Sequence, residues 1–243
     1  MNSFQEFSEN RQRRSFSEII THAFETYKGI FLYALLAMVL YTLVSIAVEP
    51  ASGFDSDGFS KEIIDADGDF SQMDIWAFPG FKFYYGLSGI VTLLLAPLFV
   101  GIIYMANKYN FKQPLHVGDL LIGYKQNFVN ILIYSLLSSV IITFSLLLCF
   151  LPVFFVLPLL LLGYPILLFE NASFTVAFQK SFKIAKDNYG TFLLTSFVGL
   201  LISFAGIFLC IIGIFATLPF YMVVMYSAYC AYCGSPRPVN PEV

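Results

Sequence analysis

Charge is what this chain has least of. Of its 243 residues 12% are charged and 58% hydrophobic, whereas a soluble domain carries about 25% charged residues. So little charge cannot clothe a globular surface in water, which excludes a soluble enzyme or binding module and predicts an integral membrane protein. Histidine is nearly missing, with His22 and His116 the two present. They fall on different segments, and the pattern puts His22 on the polar face of its helix, so no metal site and no cofactor are expected. Four cysteines in apolar settings are too few for a disulfide framework. The polar, charged start of the chain lacks the short apolar core of a cleavable signal. Ionisable residues are also missing between the ends of every apolar run. Ion coupling and intramembrane catalysis need such residues, and no nucleophile–base pair emerges, so an enzyme is not expected.

What the chain has is six apolar runs set between short amphipathic pieces. Residues 1–14 are polar and read as a disordered tail. Ser15 to Lys28 reads as a first amphipathic helix, with Phe16, Ile19, Ile20, Ala23, Phe24 and Tyr27 on one face and Glu18, Thr21, Glu25 and Lys28 on the other. It is too short to span and is expected to lie in the membrane interface with the aromatic face down. Ile30 to Val48 spans. Glu49 to Lys82 is a long acidic loop, and Phe78, Phe81, Phe83, Tyr84 and Tyr85 after it resemble a headgroup belt. A second span runs from about Tyr85 to Lys108 with Pro97 inside. Val117, Leu120, Leu121 and Tyr124 make a second interfacial helix. The 43 residues from Asn127 to Phe169 cross a core of about 30 Å twice, turning near Cys149 to Pro152. Phe174 to Asp187 is a third interfacial helix, and Asn188 to Tyr232 a last hairpin with Ile212-Gly213 at its tip. The tail from 233 to 243 is expected to be disordered.

These pieces repeat. Lys125-Gln126-Asn127-Phe128 recurs 61 positions later as Lys186-Asp187-Asn188-Tyr189. At the same offset Ser135 falls on Ser196, Ser138 on Gly199, Ser145 on Gly206, Cys149 on Cys210 and Pro158 on Pro219. Phe16, Phe24 and Lys28 fall on Phe174, Phe182 and Lys186 at a second fixed offset, and Pro97 matches the other two prolines. The predicted fold is therefore all-α: six transmembrane helices as three hairpins in one membrane domain, 15–232. Its units are 15–108, 116–169 and 173–232, each led by a cytoplasmic interfacial helix.

The termini and interfacial segments hold 11 of the 13 Lys and Arg, while Lys61 and Lys82 share the loop 49–82 with eight acids. That bias puts both termini in the cytoplasm and makes the units parallel repeats about an axis along the membrane normal.

Candidate sites are few, and each has a bland alternative. Ser135, Ser138, Gly199 and Gly206 form small-residue stripes that suit close helix packing better than a pore lining. Pro97, Pro158 and Pro219 delete backbone hydrogen bonds and are expected to kink their helices, as packing features or around a small cavity. Phe16, Phe24, Tyr124, Phe174 and Phe182 are candidate interfacial anchors. Cys149 and Cys210 are expected at equal depth near the outer face, where a disulfide could join them. Glu170 reads as a carboxylate near the start of the third interfacial helix. Asp65-Ala66-Asp67-Gly68-Asp69 begins like a calcium loop but has Phe70 and Trp76 where Gly and Glu are needed. Cys230-Ala231-Tyr232-Cys233 has redox spacing without the strand context.

Phe169-Glu170-Asn171, Ala177, Ser181-Phe182-Lys183, Asn188-Tyr189-Gly190 and Leu218-Pro219 together resemble the membrane domain beside bacterial glycerophosphoryl diester phosphodiesterases, and related multi-pass inner-membrane families. The resemblance covers the last third of the chain well and the rest loosely. It implies an inner-membrane location and an architecture, not a reaction, because the chain holds no phosphodiesterase domain. The expected partners are membrane lipids and other membrane proteins, with no nucleic acid. The expected role is lipid-facing or in membrane assembly, with passive transport of a neutral or amphiphilic solute as the alternative.

Overall fold

Apolar runs with no water to bond must satisfy their backbone internally, and helices do so. The computed structural model describes residues 15–65, 74–148 and 151–236, and of 209–212 the backbone alone. Every described element is helical. Six helices are long and apolar enough to cross a membrane: Phe16–Ser52, Phe81–Asn110, Phe128–Leu147, Leu151–Phe169, Tyr189–Phe208 and Gly213–Cys233. We call them spans one to six. The chain divides into two compact units, Met1–Met38 with Ala96–Val243, and Val39–Leu95.

The first departure from expectation is α1, Phe16–Ile46. The amphipathic stretch to Lys28 is not set off as a separate helix but runs on into span one. Its boundary holds only Gly29, and one glycine costs a helix about 1 kcal/mol, too little to stop it without a cap or proline. The second interfacial helix is shorter than expected. It is a 3₁₀ turn, Val117–Leu121, followed by the single turn α5, Ile122–Lys125. His116 and Asp119 form a capping box at its start. The third is a full helix, α9, Phe174–Asp187, with Ser173 as N-cap. Asn188 separates it from α10, Tyr189–Phe204.

Span two is α4, Phe81–Asn110, unbroken around Pro97. Span three is α6, Phe128–Leu147. Span four is broken into α7, Leu151–Leu160, and α8, Gly163–Phe169. Span six is broken into α11, Cys210–Thr217, and α12, Phe220–Cys233. The prolines expected to kink their helices thus coincide with breaks in spans four and six. α7 packs against both α6 and α10, and α12 packs against α8 and α10. The core sits in the last halves of spans two, four and six: Ile102, Met105, Leu161, Ile166, Val223 and Tyr226 are fully buried.

The smaller unit corrects the expected loop. Val48–Ser52 (α2) and Ser56–Asp65 (α3) are helical, and Ile75–Ala77 is a 3₁₀ turn. Asp55 accepts from the Gly58 N–H at 3.0 Å, which starts α3. Residues 66–70 of the calcium-like run lie outside the described residues. The expected headgroup belt is split. Phe54 stacks on Tyr84 at 4.8 Å and meets Phe59, Phe78 and Phe81 edge-on or tilted, while Phe83 and Tyr85 stay exposed. Gly80 makes this possible: its φ is +78°, and a Cβ there would meet the Gly53–Phe54 backbone.

Candidate functional site

The polar side chains that the membrane pattern left unassigned gather where α1, α4 and α12 exchange side-chain hydrogen bonds. α1 brings His22 and Thr26, α4 brings Asn107 and Asn110, and α12 brings Tyr226 and Ser227. His22 Nδ1 lies 2.9 Å from Ser227 Oγ, and its Nε2 3.4 Å from Asn110 Nδ2. Thr26 and Asn110 exchange hydrogen bonds of 3.3 and 3.2 Å, and Tyr226 donates to Asn107 Oδ1 at 3.1 Å. His22 is therefore buried, not on a polar face. It follows Ile19 by three residues and precedes Thr26 by four, both 1% exposed, so helical spacing puts it on the inner stripe.

Glu170 lies just ahead of α9, whose N-cap is Ser173. It receives Lys180 Nζ on both oxygens at 2.7 Å and the Tyr229 hydroxyl at 3.0 Å, tying the end of span four to α9 and α12. A second ion pair, Lys108–Asp119 at 2.8 Å, ties span two to the 3₁₀ turn.

The three segments that read as interfacial in the sequence meet the three prolines. Ser181, fully buried on α9, donates to Leu159 O at 2.6 Å and accepts from Leu162 N at 3.2 Å, so it bridges the break after Pro158. Tyr134 donates to Leu160 O at 3.0 Å at the same break. Tyr27 of α1 donates to Ala216 O at 2.7 Å just before Pro219, and Phe220 packs edge-on against Phe24 and Tyr27. At Pro97 the neighbour is backbone. Gly123 faces the Pro97 carbonyl and Gly101 the Leu120 carbonyl so closely that a Cβ at either glycine would clash. Burial pushes the nearby Tyr124 phenol above its ordinary range.

The small stripes are buried, each against its own neighbour. Tyr164 lies 3.0 Å from Ser135, and Tyr221 2.8 Å from Ser196. Ser138 and Gly206 are buried, and Gly199 rests on Val224. Of the anchors, Phe16, Phe24 and Phe182 are exposed and Tyr124 and Phe174 half-buried. On α9 it is Ala177, Ser181 and Ala185 that face the bundle, so the aromatic stripe is not the packed face. That small-residue stripe at a spacing of four was the legible sign of Ser181. Asn127 also emerges: its amide donates to Leu167 O and Ala172 O at 2.9 and 2.7 Å, and Asn130 Oδ1 receives the Phe174 N–H. Cys149, and the side chain of Cys210, lie outside the described residues. Cys230 and Cys233 carry free thiols. Among the described residues, no three His, Cys, Asp or Glu side chains cluster as a metal site would require. No family model, curated protein or solved structure matches this chain.

Proposed function

We propose that this is a non-enzymatic protein of the inner membrane, with cytoplasmic termini, built as three parallel hairpin units and serving a lipid-facing or membrane-assembly role. The observation that carries the reading is the filled core. Where three repeated hairpins would leave an axis, the last halves of spans two, four and six bury Ile102, Met105, Ile166 and Tyr226. Side-chain bonds from Tyr226 to Asn107 and from Tyr229 to Glu170 join their ends. Such packing suits a fixed scaffold and, among the described residues, leaves no charged lining for a permeant ion. The seating of 117–125 on Pro97, α9 on the Pro158 break and α1 on the Pro219 break supports the three-unit architecture. Each segment serves the unit before it, and the first closes on the last. The resemblance to the phosphodiesterase-associated membrane domain enters the same proposal as a matter of kinship and location.

A second reading, passive transport of a neutral or amphiphilic solute, is favoured by one observation: the Thr195 hydroxyl, buried within span five, has no hydrogen-bonding partner among the described residues. Proteoliposomes loaded with a panel of neutral and amphiphilic solutes separate the two. The scaffold reading expects leakage equal to that of empty vesicles; saturable flux of any solute would overturn it in favour of transport.

A further inference from the structure

We infer that the three interfacial segments hold anionic phospholipid headgroups through one repeated device: an apolar side chain followed four residues later by a lysine. The pairs are Phe24 with Lys28, Leu121 with Lys125 and Phe182 with Lys186. The inference rests on the three-unit architecture proposed above, because at its two offsets these six residues are equivalent positions.

The fold treats the three positions alike. The residue before each apolar member is sealed in the core: Ala23, Leu120 and Ser181 are 0%, 1% and 0% exposed. The apolar member itself is turned out, with Phe24, Leu121 and Phe182 at 46%, 46% and 50%. Each lysine is exposed. This occurs on three different local structures, a long helix, a 3₁₀ turn running into one α turn, and a free-standing amphipathic helix. A shared secondary structure therefore does not explain it.

The chemistry of each pair selects the occupant. On α1 and α9 residues four apart lie on one helical face, so the apolar group and the ammonium are presented together. Lys28 Nζ sits 5.5 Å from the centre of the Phe24 ring. An apolar group at the acyl boundary, with an ammonium on a flexible stem beside it, matches a lipid whose headgroup carries a phosphate and net negative charge. The lysines remain available for that role. Lys108 and Lys180 are neutralised by Asp119 and Glu170, whereas among the described residues Lys28, Lys125 and Lys186 take part in no ion pair. Glu25 and Asp187 are exposed on the same helices and do not pair with them either.

The test uses the full chain in vesicles of phosphatidylcholine with spin-labelled phosphatidylglycerol or spin-labelled phosphatidylcholine as probe, read as relative association with the protein. Native protein is expected to prefer the anionic probe. Lys28→Gln, Lys125→Gln and Lys186→Gln each remove about a third of the selective sites. The triple variant falls to the phosphatidylcholine level, since each lysine at a membrane surface contributes about a fivefold preference. Lys183→Gln, an exposed lysine outside the pairs, leaves selectivity near native. Native protein without a preference, or a triple variant that keeps it, overturns the inference; so does a loss with Lys183→Gln equal to that of a paired lysine, which would mean diffuse charge. If the triple variant fails to fold, the three single variants decide. Solute leakage measured on the same vesicles reports on the scaffold reading separately: leakage with intact lipid selectivity would defeat that reading and leave this one standing.

Discussion

Span two runs unbroken through Pro97, whereas spans four and six stop and restart beside Pro158 and Pro219. Proline within an apolar run thus gives two outcomes. A proline removes one N–H and crowds the carbonyl four residues back, but in a membrane a helix opens further only where the freed groups find new partners. At the Pro158 break Ser181 and Tyr134 provide them, and before Pro219 Tyr27 does. At Pro97 the neighbour comes in as close-packed backbone opposite Gly101 and Gly123. What decides the local geometry is the chemistry of the segment seated on each proline.

That contrast can be broken hardest at the glycines. Gly101→Leu is expected to abolish folding, a loss of more than about 4 kcal/mol, because the Leu120 carbonyl it meets is backbone and cannot turn aside. Gly86→Leu, where a Cβ has open space, is expected to be silent in the same thermal melts in detergent. Next comes the ion pair that fixes the turn against span two. Asp119→Asn strands the Lys108 ammonium, whose side chain is 11% exposed, and is expected to cost about 3 kcal/mol. Glu170→Gln, opposite the 39% exposed Lys180, is expected to cost about 1 kcal/mol. Equal losses in a denaturant titration would mean that burial does not separate the two pairs.

Ser181→Ala sharpens the comparison directly. It leaves Leu159 O and Leu162 N without their buried partner and is expected to cost about 2 kcal/mol. Amide exchange at Leu162 is expected to quicken in this variant and to stay slow in Pro158→Ala, where Ser181 still bridges the break. Slow exchange in both variants would show that Ser181 does not hold it. Tyr27→Phe, which keeps the ring packing on Phe220 and deletes one hydrogen bond, is expected to cost about 1 kcal/mol in the same melts. Smallest is Pro97→Ala, expected within about 1 kcal/mol of native because its helix is already continuous; a cost matching that of Ser181→Ala would mean that span two depends on its proline after all.

Much of the architecture could be read from composition, since twenty-odd apolar residues without charge leave a chain few options. The number of helices long and apolar enough to span was legible in that way. The interfacial segments were less so, because a hydrophobic pattern shows that a helix has two faces but not which one meets protein. On α9 the aromatic face reads as the one set into the membrane interface, and Phe182 is exposed, but the pattern does not name Ala177, Ser181 and Ala185 as the residues against the bundle. Small residues carry little hydrophobic signal while permitting the closest approach. The polar junction was illegible for a different reason. His22, Asn107 and Ser227 lie far apart in sequence, each unremarkable alone, and only the return of span six beside α1 makes them neighbours. In the loop after span one the acidic residues masked the aromatic cluster, because Phe54 and Tyr84 stack across 29 intervening positions.

The junction of α1 with span six also sets a timetable for synthesis. Tyr27 and its acceptor at Ala216 are 189 residues apart, and His22 and Ser227 are 205 apart. At translation speeds of 5–20 residues per second, about 10–40 s pass between the emergence of one partner and the other. Through that interval the groups that the first helix contributes to the junction wait for a span not yet made. A chain stalled by the ribosome before residue 216 would present the same face to the quality-control proteases.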